Sequence, residues 1–186
     1  MASLNIRFPN RQELFKLFLV CVFPIHFWSI LIFLREVPVF ILRLSAVDIL
    51  SVFAYTQVFA LLESSLLLCL ITVLGLLLPR SLFRERFVLQ GSILVLITSI
   101  WAIPINYKGG IFALSLENTG SLLIVWSLSC LGAIIVLSIL LHRSIRFNSI
   151  LQGFIEKLSL LSMLYASVGL ISILIIIIRS LTLLSS

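Results

Sequence analysis

The chain has 186 residues, of which 61% are hydrophobic and only 11% are charged. Soluble domains are roughly half apolar and about a quarter charged, so this chain has too little charge to cover a water-facing surface. The composition therefore predicts an integral membrane protein, and the length predicts a single helical domain. The net charge of +6 comes from basic residues between apolar runs, which indicates topology signals and lipid contacts rather than a nucleic-acid surface.

The apolar runs predict an all-α bundle of about five transmembrane helices. The predicted spans are residues 14–34, 48–78, 88–106, 121–141 and 158–178. Ahead of the first span, Asn10 and Glu13 have the spacing of a capping box. A helix is therefore expected to begin near Arg11.

Two connections have the composition of amphipathic helices that lie at the membrane surface. Residues 35–45 are too short and too charged to cross a bilayer, and their apolar residues flank Arg35 and Arg43. Residues 142–157 carry apolar side chains at helical spacing, opposite the polar residues Arg146 and Glu156. We therefore predict one or two interfacial helices beside the spans.

The basic residues are distributed unevenly between the two sides of a five-span arrangement. Nine lie on the side of the N-terminus, namely Arg7, Arg11, Lys16, Arg80, Arg84, Arg86, Arg143, Arg146 and Lys157. Four lie on the other side, namely Arg35, Arg43, Lys108 and Arg179. The positive-inside rule then predicts a multi-pass protein of the cell membrane with a cytoplasmic N-terminus and an outside C-terminus.

Polar residues inside the predicted spans are the candidate functional residues, because ionisable groups in a membrane are costly and usually face the protein interior. On a helical wheel, one face of the second span carries Asp48, Ser51, Tyr55, Phe59 and Glu63, and this face is expected to point into the bundle. His26 in the first span lies at nearly the same depth as Glu63. We therefore predict a small polar pocket, open to the outside, formed by His26 and Glu63 with Tyr55 and Gln57 above them.

Each of these residues also has a structural interpretation. Asp48 can pair with Arg43 or Arg35 at the membrane surface, Glu63 can be a structural carboxyl, and His26 can be a packing histidine. Several basic residues in the connections are candidate contacts to lipid headgroups. Alternatively, these residues only determine the orientation of the spans. These residues are Arg35, Arg43, Arg80, Arg84 and Arg86.

A stripe of small residues marks the fifth span, where Ser162, Ala166, Gly169 and Ser172 are three or four positions apart. Small side chains allow the backbones of two helices to approach closely in a membrane. The stripe is therefore expected to face another helix.

Motifs for catalysis are missing from the sequence: there is no phosphate-binding loop, no paired-histidine metal motif and no nucleophile triad. We therefore predict no catalytic, cofactor-binding or metal-binding residues, and a non-enzymatic role is favoured. The leading hypothesis is a small polytopic subunit that associates with, assembles or anchors a larger membrane or cell-envelope complex. One alternative is a transport component that moves a proton or small solute past His26 and Glu63, and another is a membrane enzyme acting on lipid-linked substrates. The expected partners are membrane lipids and other membrane subunits or further copies of the chain, without nucleic acid.

Overall fold

The computed structural model describes the backbone of residues 9–77, 87–107 and 119–184. Within these ranges the chain forms five helices and no strand, which confirms the predicted all-α class. The helices are α1 (Arg11–Arg43), α2 (Ala46–Leu77), α3 (Phe87–Tyr107), α4 (Thr119–Arg143) and α5 (Ile145–Leu184).

Helix α1 begins where the sequence predicts, because the backbone nitrogen of Asn10 donates to Oε2 of Glu13 at 2.9 Å. The helix then continues to Arg43 through Pro24 and Pro38. The prediction of a separate interfacial segment over residues 35–45 is therefore wrong, since residues 35–43 extend α1. Each proline removes one backbone donor, and the other residues of the helix keep theirs.

Helix α5 is also longer than predicted, with 40 residues from Ile145 to Leu184. It joins most of the predicted amphipathic stretch, residues 142–157, to the predicted fifth span without a break. This stretch is therefore continuous with α5, and its position at a membrane surface stays a prediction. Because this helix contains no proline, every residue of it keeps its backbone donor.

Three of these helices, α1, α2 and α5, are long and apolar enough to cross a membrane. Helix α2 alone would measure about 48 Å, against about 30 Å of bilayer hydrocarbon. Shorter apolar stretches occur in α3 and α4, at Phe87–Ala102 and Ile124–Ile139. Large apolar side chains also cover the outer surface, so the fold is compatible with a multi-pass membrane protein.

Helices α1, α2 and α5 pack most extensively against one another. Side-chain contacts show that α1 and α2 are antiparallel: Ser29 Oγ donates to the carbonyl oxygen of Thr56 at 3.4 Å, and the rings of Phe33 and Phe53 lie 5.0 Å apart. Since Arg179 lies beside Asp48, the C-terminal end of α5 meets the N-terminal end of α2. Helix α5 is therefore antiparallel to α2 and parallel to α1.

The apolar core occupies the end of the bundle where α1 and α3 begin. Leu17, Cys21 and Ile71 are fully buried there and contact apolar residues of α3, α4 and α5. Gly91 allows α3 to approach, because a Cβ atom at this position would lie 2.8 Å from Cδ1 of Leu17. Farther along the bundle, the interface of α1, α2 and α5 is more polar, and it holds the candidate site.

Candidate functional site

Between residues 51 and 64, the buried face of α2 consists of small and polar side chains. They are Ser51, Ala54, Gln57, Ala60 and Ser64. The face predicted to point inwards is instead largely exposed, with Tyr55 at 48%, Phe59 at 62% and Glu63 also exposed. That prediction is wrong because small residues allow α1 and α5 to come close, whereas the bulky Tyr55 and Phe59 would hold them apart.

His26 is the central polar residue of the three-helix interface and is fully buried. Its Nδ1 atom lies 3.1 Å from the carbonyl oxygen of Val22, one turn earlier in α1. Its ring stacks on Tyr165 of α5, with the ring centroids 6.4 Å apart. The imidazole is therefore held between its own helix and α5.

Gly169 of α5 lies against the same histidine. A Cβ atom on Gly169 would lie 2.6 Å from Cδ1 of Leu61 and 3.2 Å from Nε2 of His26. Ser162 and Ser172 on the same side of α5 are buried as well. The predicted stripe of small residues does face other helices, namely α1 and α2.

Glu63 lies on a different surface from His26. It lines a groove of about 740 Å³ between α1, α2 and α3, to which α5 contributes Phe154 and Leu158. The walls of this groove are mainly aromatic and aliphatic. The structure does not bring His26 and Glu63 together, since the histidine contacts α5 and the carboxylate lines this groove. A second carboxylate, Glu36 of α1, lies in the same groove. Phe59 and Thr56 of α2 line the groove as well.

Gln57 and Tyr55, which were predicted to lie together above the pocket, are also separated. Gln57 is fully buried, and neither of its amide atoms has a hydrogen-bond partner among the residues that the structure describes. Tyr55 lies on the outer surface of α2. The burial of Gln57 could have been predicted from the sequence. Gln57 is three residues from both Ala54 and Ala60, so it lies on the same small-residue face of α2.

Asp48 pairs with neither of the arginines that the sequence suggested. Its Oδ1 atom accepts a hydrogen bond from Nη2 of Arg179 at 2.9 Å, and Ser45 Oγ donates to its Oδ2 atom at 2.7 Å. Arg43 and Arg35 are exposed. The pairing with Arg43 or Arg35 is therefore wrong, because the antiparallel arrangement of α2 and α5 places Arg179 beside the first turn of α2. The alternation of spans could have predicted that these two ends meet.

The candidate headgroup contacts fall into two groups. Arg35 and Arg43 are exposed on the last turns of α1, whereas Arg80, Arg84 and Arg86 lie outside the residues that the structure describes.

At the opposite end of the bundle, a hollow of about 660 Å³ lies where α1, α3 and α5 begin. Charged side chains of both signs line it, including Glu13, Lys16 and Glu156. In the described ranges, no three His, Cys, Asp or Glu side chains are grouped so that they could hold a metal ion.

No protein family, curated protein or solved structure matches the chain. The evidence for function therefore comes from the side chains that the fold brings together. Two features stand out: an exposed carboxylate in an aromatic groove, and a buried polar interface between α1, α2 and α5.

Proposed function

We propose that this chain is a small polytopic membrane subunit that binds a transmembrane helix of another membrane protein in the groove between α1, α2 and α3. The observation that carries the proposal is the position of Glu63. It lies near the midpoint of α2, it is exposed, and it is part of the groove wall. The same association would assemble or anchor a larger membrane or cell-envelope complex.

An exposed carboxylate near the middle of a membrane-spanning helix is costly, by about 2.5–3.5 kcal/mol on insertion scales. Apolar side chains surround Glu63 on the outer surface of α2, including Phe59, Leu62 and Leu66. Lipid tails cannot donate a hydrogen bond to the carboxylate at this depth, whereas a basic or hydroxyl side chain on a partner helix can. A partner in the groove would therefore lower the cost of Glu63 and cover its aromatic wall.

The transport alternative receives less support from this geometry. It required His26 and Glu63 to line one pocket, and they face different sides. The alternative of an enzyme acting on lipid-linked substrates required Asp48 to act together with Arg35 and Arg43 at the outer surface. The carboxylate of Asp48 is instead hydrogen-bonded to Arg179 and Ser45.

We also propose that all five helices cross the cell membrane, with the N-terminus in the cytoplasm and the C-terminus outside. The support is the nine-to-four distribution of basic residues over the two sides, together with the apolar stretches of α3 and α4.

Site-specific photocrosslinking in intact cells tests the subunit proposal. A benzoylphenylalanine replaces Phe59, which is 62% exposed in the groove, and a matched one replaces Leu164, which is 65% exposed on α5 away from the groove. We expect a protein adduct of one defined mass from position 59 and adducts to lipid alone from position 164. In the Glu63→Leu background the adduct at position 59 should fall about tenfold, which corresponds to about 1.4 kcal/mol of association free energy.

The same experiment can reject the proposal. An equal yield of adduct at both positions would show that the groove is not the contact surface. An adduct at position 59 that persists unchanged with Glu63→Leu would remove the role of the carboxylate. Solute uptake by the purified chain alone in liposomes would favour transport instead.

A further inference from the structure

His26 and Gln57 are fully buried polar side chains at the interface of α1, α2 and α5. Neither Nε2 of His26 nor the two amide atoms of Gln57 has a hydrogen-bond partner among the described residues. Buried polar atoms in folded proteins are nearly always paired, either with protein groups or with ordered water. These three atoms therefore call for a ligand that can hydrogen-bond.

The helix register places the two side chains near each other. Ser29 Oγ contacts the carbonyl oxygen of Thr56, the residue next to Gln57, and His26 lies one turn before Ser29. Along the helix axes, His26 and Gln57 are therefore within about one turn, roughly 5 Å. Helix α5 closes the same interface through Gly169 against His26 and through the buried Ser172 one turn farther on.

The hydrogen bond of the His26 ring determines what the ligand must supply. A backbone carbonyl can only accept, so the 3.1 Å contact with Val22 requires that Nδ1 carry a proton. In the neutral ring, Nε2 is then an acceptor that needs a donor. The amide of Gln57 provides two N–H donors and one carbonyl acceptor, so the site offers both kinds of group.

A buried serine of α5 adds an acceptor to this site without adding a donor. The hydroxyl of Ser172 donates to the carbonyl oxygen of Val168 at 2.8 Å. Its lone pairs stay available, while its proton is already engaged. The site therefore suits a small ligand that donates as well as accepts, and it has no net charge to attract an ion.

We propose that His26 and Gln57 together bind internal water between α1, α2 and α5. One water molecule donates to Nε2 of His26 and accepts from the amide N–H of Gln57, and a second hydrogen of the water reaches a serine or glutamine oxygen. Such a water makes about three hydrogen bonds, as is usual for buried water in proteins. The proposal is independent of the subunit proposal, because neither His26 nor Gln57 lines the groove.

The hydrated site lies between two features that bound it. At one end, the Asp48–Arg179 pair lies at the partly exposed ends of α2 and α5. At the other end, Leu17, Cys21 and Ile71 are fully buried in the apolar core. Among the described residues, the side chains that fill the bundle at this end are therefore mainly apolar.

Solid-state NMR on the full chain in lipid nanodiscs tests this inference, with ¹⁵N-labelled histidine and His142→Asn so that His26 alone is observed. We expect a neutral ring protonated at Nδ1, together with magnetisation transfer from water to the His26 ring. Gln57→Leu should reduce this transfer at least several-fold and lower the melting temperature by about 2–4 °C. The control Gln90→Leu replaces another buried amide, on α3, and should leave the transfer unchanged.

The sign of the stability change separates a wet interface from a dry one. If Gln57 were buried without any partner, the Gln57→Leu variant would be more stable, because an unpaired buried amide is unfavourable. The proposal would be overturned if the wild-type His26 ring received no magnetisation from water, whatever the stability of the variants. It would also be overturned if this magnetisation transfer were unchanged in Gln57→Leu. Because the wild-type measurement decides the first of these outcomes, the test holds even if a variant does not fold.

Discussion

Asp48 and Arg179, 131 positions apart in the sequence, form an ion pair at 2.9 Å that ties the first turn of α2 to the end of α5. The side chains are 42% and 34% exposed, so water and salt weaken their attraction. The pair nevertheless fixes the relative register of two long helices that have no connection near this end.

Removing either partner of this pair should destabilise the bundle by a small amount. We expect Arg179→Ala and Asp48→Asn each to lower the free energy of unfolding only slightly, because solvent screens a partly exposed pair. In a double-mutant cycle, measured by unfolding in nanodiscs, the double variant should lose less than the sum of the single losses. Arg43→Ala is the control, since Arg43 is exposed and does not pair with Asp48. A loss in the control as large as that of Arg179→Ala would contradict the assignment.

Gly169 should be intolerant of any side chain. A Cβ atom there would lie 2.6 Å from Cδ1 of Leu61 and 3.2 Å from Nε2 of His26, so Gly169→Ala must shift the Leu61 side chain and crowd the His26 ring. We expect a lower melting temperature for this variant. Gly169→Leu should disturb assembly more than Leu174→Phe does, because Leu174 is 59% exposed.

Gly132 provides the matched control for the alanine variant, since a Cβ atom there would have no neighbour within 4 Å. Gly132→Ala should keep or raise stability, by up to about 1 kcal/mol, because alanine favours the helical backbone. Combining Leu61→Ala with Gly169→Ala should recover part of the loss. Equal effects of alanine at positions 132 and 169 would show that Gly169 is not in close contact.

His26 and Glu63 should behave independently. The histidine contacts α5 and the carboxylate lines the groove, so they share no hydrogen bond among the described residues. We expect the losses from His26→Gln and Glu63→Gln to add within about 0.5 kcal/mol when unfolding is measured. A double variant that loses much less than the sum would instead restore the pocket predicted from the sequence.

The five-span topology can be tested by labelling single cysteines in a cysteine-free background. Gly110 and Ser81 lie in connections outside the described residues, and the charge distribution puts them on opposite sides of the membrane. In intact cells, Gly110→Cys should react with a membrane-impermeant thiol reagent, whereas Ser81→Cys should react only after lysis. The same extent of labelling at both positions would rule out five spans.

Several features of the fold follow from short stretches of sequence. The capping pair Asn10 and Glu13 gives the start of α1, and the apolar runs give α2 and α3 to within a few residues. The spacing from Ser162 to Ser172 correctly indicates a packed face on α5. These features were predictable because capping, hydrophobicity and small-residue spacing each depend on neighbours within two or three turns.

The tertiary structure alone decided which polar groups meet. On a helical wheel of α2, the polar face with Asp48, Tyr55 and Glu63 was expected to point inwards, but the side facing α1 and α5 is the one with Gln57 and Ser64. The partner of Asp48 proved to be Arg179, and His26 faces Tyr165 rather than Glu63. The physical reason is that the sequence determines the rotation of side chains about a helix axis, whereas the helices that close against each face depend on packing among distant segments.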